Sequence, residues 1–528
     1  MRVRTILVLV ACLALMLAAC SSDGTSETTT GATTGGEDTT LRLAFTSDMD
    51  PPDPDTNYQL AGNQVTTALY EGLLDYAPDS STEIIGLLAE DWTVSDDGLT
   101  YTFTLRDGLT FADGTPLDST ALQYGFERRS NEAVQSPSSY MLLPVDHYET
   151  PDPRTFIIQL AYPESAFLTY LASPFSPKAV NPNLVAEHDA DGDAAVEWMK
   201  THSAGSGPYV ISEFTLGQRY VLERNENYWG DEPYFERVEI RIIPDAATQV
   251  LQLEGGELDI ITGQPIATVR TFEDKSGYQV VSFPVLMKAW IHVNPNVAPT
   301  DDQAFRQALR AAIDRPKLVD QIWGEYATES SQMYPAGSLV EGKGVDQWTY
   351  DPSQLEALAG GQTVTLAYPA DRPADQQTAE ALQAQLAATG LDVQLVPTPD
   401  ADLGSWQADP AGAPNMYYEI SFPDSTHPDT WSRLFWYYDI ASGFGGFLNY
   451  FIAGSTASDD AMNAGLGAVE AATVEASFDA SAKEITDAAT YITIADAKDV
   501  FIAREGISGF NHWLPTPLTL QLKTLTRG

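Results

Sequence analysis

A chain of 528 residues with 74 acidic against 28 basic side chains carries a formal charge of −46, which excludes nucleic acid as a partner, because phosphate contacts need a basic face. Hydrophobic residues make up 43% of it, enough at this length for a well-buried core. Its two cysteines, Cys12 and Cys20, the first inside an apolar leader, leave no disulfide framework and no cysteine-based metal site.

Arg2 and Arg4 precede an apolar run from Ile6 to Ala19, of signal-peptide length and short for a bilayer span. It ends in Leu17-Ala18-Ala19-Cys20, which resembles the lipobox of bacterial lipoproteins. The resemblance implies cleavage after residue 19, a lipid on the Cys20 thiol and attachment to a membrane without a spanning helix. Residues 20–40 are then a flexible tether, because Ser, Thr, Gly and acids cannot form a core. The acids beyond it are spread along the chain, which fits a solvated surface better than a site for one cation.

The globular pattern starts at Leu41. Leu41 to Phe45 alternates as a strand and runs into a Pro/Asp-rich turn. Asn63 to Leu73 has helical spacing, Tyr101 to Leu105 is a strand, Asp118 to Glu127 starts a helix, and Thr155 to Leu160 is a strand. Tyr209 to Ile211 and Tyr220 to Glu223 read as paired strands, followed by a strand over Arg237 to Ile243 and a helix over Ala247 to Leu253. Ala289 to Val293 is a strand, and Asp302 to Trp323 a long helix with one apolar stripe. Thr363 to Tyr368, Gln376 to Ala388 and Asp392 to Val396 form a β-α-β run, so the two strands should be parallel. Ala457 to Tyr491 reads as mostly helical and Leu518 to Leu522 as a closing strand.

Residues Leu88 to Arg129, LAEDWTVSDDGLTYTFTLRDGLTFADGTPLDSTALQYGFERR, resemble a block of the family 5 extracellular solute-binding proteins of ABC importers. The matching features include Trp92, Asp97-Gly98, Leu105-Arg106, Asp113-Gly114-Thr115-Pro116 and the aromatics before Arg128. Gly207-Pro208-Tyr209, Asn225 to Trp229, Pro244 to Thr248 and Phe305 to Arg315 follow in the family's order. As physics each block is scaffold: Asp113 to Pro116 is a turn, and Pro316 disfavours an uninterrupted helix.

The resemblance implies an α/β, two-lobed periplasmic-binding-protein-like fold of type II. Its first lobe would comprise residues 41–284, with an extra subdomain at about 76–203, the second lobe 285–506, and the return to the first lobe 507–528. It also implies a monomeric receptor outside the cell that hands a peptide or another small solute to the ABC permease subunits. In peptide-binding members an Asp four residues before a Pro pairs with the peptide's α-ammonium, and Asp424 to Pro428 keeps that spacing. The family's Trp is replaced by Ser421 here, so Phe422, Tyr417 or Tyr418 would supply the aromatic wall. Asp424 can equally be a turn residue accepting backbone N–H groups. Phe45, Thr46 and Ser47, Trp290 near the first crossing and Phe510 near the second are further ligand-lining candidates, with hinge packing as the alternative for each.

No G-x-S-x-G elbow, H-E-x-x-H pair, P-loop or G-x-G-x-x-G follows a strand. The six histidines are scattered, so no catalytic residue, cofactor or metal is assigned. His427, beside Asp424, is the one histidine placed for a metal-chelate contact, with an ordinary loop role as the alternative. The competing functions are a receptor for an oligosaccharide or other neutral solute, motivated by Trp431, Trp436, Tyr437 and Tyr438, and a secreted hydrolase.

Overall fold

The computed structural model describes residues 38–528 apart from 79, 339–347, 371, 440–443, 447 and 512–516. The leader at 1–19, Cys20 and the tether up to residue 37 lie outside the described residues.

The body from Thr39 to Gly528 is built on one eleven-stranded sheet. Its first strand, β1 (Thr40–Phe45), is followed by a segment with a sheet of its own. Strands β2 (Ala89–Val94), β3 (Thr100–Leu105), β4 (Val145–Asp152) and β5 (Thr155–Leu160) form it in the order β2-β3-β5-β4. Helices α1 (Ser119–Arg129) and α2 (Phe167–Ala172) belong to the same segment. Phe103, Phe126, Phe156, Ile158 and Phe167 make its separate core. Asp118 starts α1 by accepting the N–H groups of Thr120 and Ala121, the usual cap chemistry.

The chain then returns to the main sheet through β6 (Tyr209–Thr215), β7 (Arg219–Arg224), β8 (Arg237–Ile242) and β9 (Ile260–Ile261). β1 lies between β8 and β9 and is parallel to both, so Leu41, Leu43 and Phe45 are buried, as central parallel strands are.

Strand β10 (Tyr278–Val293) carries the chain into the second half of the sheet. There α3 (Gln303–Ala311), α4 (Arg315–Ile322), β11 (Thr363–Pro369), α5 (Pro373–Ala387), β12 (Asp392–Thr398) and β13 (Met416–Ser421) follow. β11 and β12 pair in parallel, as their crossover helix requires. Where one long helix is expected from Asp302 there are two, because Asp314 caps a new start at the Lys317 N–H and Pro316 has no N–H to continue the old one. Beyond α6 (Asp429–Phe435), α7 (Thr456–Leu466) and α8 (Ala471–Ala488), strand β14 (Tyr491–Arg504) runs back antiparallel to β10.

These two long strands join the halves. Lys288 to Val293 of β10 pair with Ser421 to Met416 of β13 in the second half. Ile502 and Ala503 of β14 pair with β9 in the first. The β10–β14 register slips between Pro284 and Met287, where Pro284 cannot donate to the ladder. β14 has therefore rejoined the first half before residue 507, upstream of the return boundary expected from the sequence. Leu518 to Leu522 is not a strand; the tail makes a single helical turn at Leu522–Thr524 and a short pairing of Ile507–Ser508 with Thr526–Arg527. Separate cores sit in the two halves, one around Leu43, Val238 and Ile240 and the other around Ile291, Leu309, Leu366 and Leu382.

Candidate functional site

Immediately after β13 the chain makes a turn, Asp424 to Pro428, before α6 begins at Asp429. The whole turn is buried: Asp424 is 3% exposed and Ser425, Thr426 and His427 no more than 2%. What covers it belongs to the segment between β1 and β6. Tyr58 Oη and Tyr140 Oη each donate to Asp424 Oδ2 at 2.5 Å. Ser173 Oγ donates to the Asp424 carbonyl at 2.5 Å. Tyr76 Oη lies 2.9 Å from Thr426 Oγ1, and Thr169 Oγ1 3.1 Å from Ser425 Oγ.

Burial pushes the Asp424 carboxyl up from its ordinary 3.8 to about 6, and the phenols of Tyr140 and Tyr58 pull it down. The two phenols are in turn held well above their ordinary range, first by burial and then by the Asp424 charge. Around the carboxylate stand aromatic rings. Tyr58 packs at 5.1 Å from Phe175, Phe175 stacks at 6.5 Å on Phe422, and Tyr140 meets Tyr170 edge-on at 5.9 Å. Tyr58, Tyr140 and Phe422 are half-buried.

A desolvated carboxylate is costly unless a cation or several donors satisfy it. Two phenol donors do so here. Each phenol oxygen keeps lone pairs, so Asp424, Tyr58 and Tyr140 together offer several acceptors to a group with several N–H bonds.

Next to this carboxylate, His427 is engaged at both nitrogens. Its Nδ1 accepts the Asp429 N–H at 3.2 Å, which puts the ring proton on Nε2, 3.2 Å from Ser165 Oγ. Burial lowers its pKa to about 4 and keeps the ring neutral, and the one lone pair of that neutral ring, on Nδ1, is already taken by the Asp429 N–H. This removes the metal-chelate reading of His427.

The other candidates are dispersed. Phe422 is the one that shares the Asp424 setting. Tyr418 is fully buried in the second-half core with Leu366 and Leu382, because successive residues of β13 face opposite sides of the sheet. Trp290 is 0% exposed within a cluster of Trp431, Phe435 and Tyr491, at ring separations of 4.5, 4.6 and 4.9 Å. Both are packing residues rather than walls beside Asp424. Phe45 is buried in the first-half core, and Phe510 is half-buried against it. Thr46 is half-buried and Ser47 exposed at the end of β1. Tyr58, Tyr140, Ser173 and Phe175 escaped the sequence reading. They come from turns with no periodicity, and only the fold brings them 366 and 284 residues, for the two tyrosines, from their partner.

The family model described as bacterial extracellular solute-binding proteins, family 5 Middle, matches residues 83–443. The chain is 30% identical over 340 residues to a probable D,D-dipeptide-binding periplasmic protein, DdpA, of Escherichia coli K12, covering 63% of this chain and 65% of the relative. It is 28% identical over 354 residues to the glutathione-binding protein GsiB of Shigella flexneri, covering 66% of each. The chain thus spans just under two thirds of the length of these relatives. Among solved structures it is similar to DppA of Helicobacter pylori in complex with the peptide STSA, with a TM-score of 0.79, 21% identity and coverage of 92% of this chain and 98% of that one. It is also similar to NikA of Brucella suis in complex with Fe(III)-EDTA, with a TM-score of 0.80, 19% identity and coverage of 93% and 100%. The fold is accordingly the two-lobed, type II periplasmic-binding-protein α/β fold.

Proposed function

We propose, from the premise that the chain belongs to the family 5 bacterial extracellular solute-binding proteins, that it captures a peptide with a free α-ammonium outside the cell and delivers it to an ABC importer. One observation carries the choice of solute: the buried Asp424 carboxylate, lined by aromatic rings and capped by two phenols from the far side of the interface. An ammonium carries three N–H donors and a positive charge. Beside Asp424 it would be attracted by the carboxylate and donate to the oxygens already arranged there. The dipeptide named for the Escherichia coli relative and the peptide bound in the Helicobacter pylori structure support this class of solute.

The receptor is held on the outer face of the cell membrane by a lipid on Cys20 and acts as a monomer without enzymatic chemistry. Its two lobes, joined by β10 and β14, close over the solute by bending of these strands near Pro284. Of the four aromatics that motivate the neutral-sugar reading, Trp431 and Trp436 are fully buried in the second-half cluster, which favours the peptide reading.

The test is calorimetry and thermal shift with a panel of dipeptides, their N-acetylated forms and neutral oligosaccharides. Free dipeptides should raise the melting temperature in proportion to their occupancy. Acetylated dipeptides, which lack the charge, should not. Equal binding of both forms, or a response to oligosaccharides alone, would overturn the ammonium assignment.

A further inference from the structure

Three separate segments present groups to Asp424: the turn that carries Tyr58, the helical turn Pro137–Leu142 that carries Tyr140, and the stretch from Ser173 to Phe175. None of them is a long regular element, so something outside their own backbone must fix them. One guanidinium reaches all three. Arg129, fully buried at the end of α1, donates from Nε to Asp55 Oδ1 at 2.9 Å and from Nη2 to the Pro54 carbonyl at 3.0 Å. Its Nη1 donates to Ser138 Oγ at 3.0 Å and to the Phe175 carbonyl. The acceptors therefore lie a few residues before Tyr58, two before Tyr140, and on Phe175 itself. Arg128 backs this arrangement: it grips Asp53 at 2.9 and 2.7 Å and Asp55 at 2.5 Å. The two arginines and two aspartates balance in charge.

A buried ion pair kept only for packing could bond any nearby carboxylate. Arg129 instead spends most of its N–H groups on two carbonyls, a hydroxyl and a carboxylate from three segments, each of which touches the Asp424 turn. The planar fork fixes the angles between these bonds, which a lysine ammonium cannot do. We infer that Arg129 is the positioning residue of the solute's ammonium site: through one guanidinium it sets where Tyr58, Tyr140 and Phe175 stand around Asp424. The inference rests on the assignment of Asp424 as ammonium partner, but its test reads Asp424 directly.

The full mature protein is labelled with 13C at aspartate carboxyls, and the Asp424 signal is assigned by its loss in Asp424→Asn. Its titration is followed without ligand in wild type, Arg129→Lys, Tyr58→Phe/Tyr140→Phe, and the combined variant. Phenol donation favours the ionised carboxylate, so both the lysine variant and the double phenylalanine variant should move the titration midpoint up, by about one pH unit. The combined variant should move it no further, since both changes act through the same bonds. A merely structural arginine would lower the melting temperature and leave the Asp424 titration at its wild-type midpoint; that result, or shifts that add in full, would overturn the inference. Should Arg129→Lys fail to fold, Ser138→Ala removes a single bond on the Tyr140 side. It should give a smaller upward shift that disappears when Tyr140 is already phenylalanine, and no shift would overturn the inference. Affinity for alanyl-alanine is measured on the same samples. Shifted titration with unchanged dipeptide affinity would sink the ammonium assignment while upholding the positioning role.

Discussion

Replacing Asp424 by asparagine should make the ligand-free protein more stable and the receptor worse, and the two effects separate by pH. Folded protein holds the Asp424 proton up to about pH 6, against an ordinary value of 3.8, chiefly because the carboxylate is buried. Each pH unit of that difference is worth about 1.4 kcal/mol, so ionising Asp424 in the ligand-free protein costs about 3 kcal/mol. The folded state binds this proton more tightly than the unfolded chain does. Its contribution is therefore fully present below pH 3.8 and is lost as the pH rises through 6.

Asparagine keeps the shape and has nothing to ionise. Asp424→Asn should match wild type near pH 4 and gain about 3 kcal/mol by pH 7. Unfolding entropy near 2.1 cal/mol/K per residue over a body of this size converts that to roughly 3 °C in melting temperature. Binding moves the other way. Losing one partner of a buried, hydrogen-bonded charge pair typically costs about 2–5 kcal/mol, so dipeptide affinity should fall roughly 30-fold or more. Scanning calorimetry between pH 4 and 8, with titration calorimetry of alanyl-alanine at pH 7, measures both. A melting difference that does not change with pH would show that the carboxylate is solvated in the free protein. Unchanged affinity would remove Asp424 from the solute site.

Glu164 gives a second pH-dependent case. Burial first, and then the nearby Asp429 charge, push it up to about 9, so the folded state favours its proton and stability is lost as the pH climbs from 4.5 to 9; Glu164→Gln should show a melting gain that grows over that interval, and a loss at pH 8 would contradict it. Trp290→Ala should cost about 3–5 kcal/mol of stability through the cavity it opens, while dipeptide affinity stays within about threefold, less than 1 kcal/mol; a selective loss of affinity would return Trp290 to the solute wall. Cys20→Ser should release the protein from the membrane fraction, and sedimentation with membranes in high salt would refute the lipid attachment.

Family and fold class were legible because they rest on local patterns. The block from Leu88 to Arg129 and the β-α-β run from Thr363 to Val396 announce themselves within a few turns of chain, whereas the cap expected at Ser119 or Thr120 sits at Asp118. Asp424 was legible as one of two things, solute partner or turn residue, from its spacing to Pro428. Strand β14 was not: the helical reading runs to Tyr491 and leaves residues 492–504 unassigned, and the strand's partners in β10 lie some two hundred residues earlier. Nor could the sequence say which face of β13 or β10 meets solute: Tyr418 and Trp290 look like cleft aromatics until the pleat sends both into the second-lobe cores. The sequence by itself determined the scaffold, the charge and a carboxylate in a turn. Only the tertiary structure decided what surrounds that carboxylate, since Tyr58, Tyr140, Phe175 and the guanidinium of Arg129 meet through long-range hydrogen bonds that no local spacing encodes.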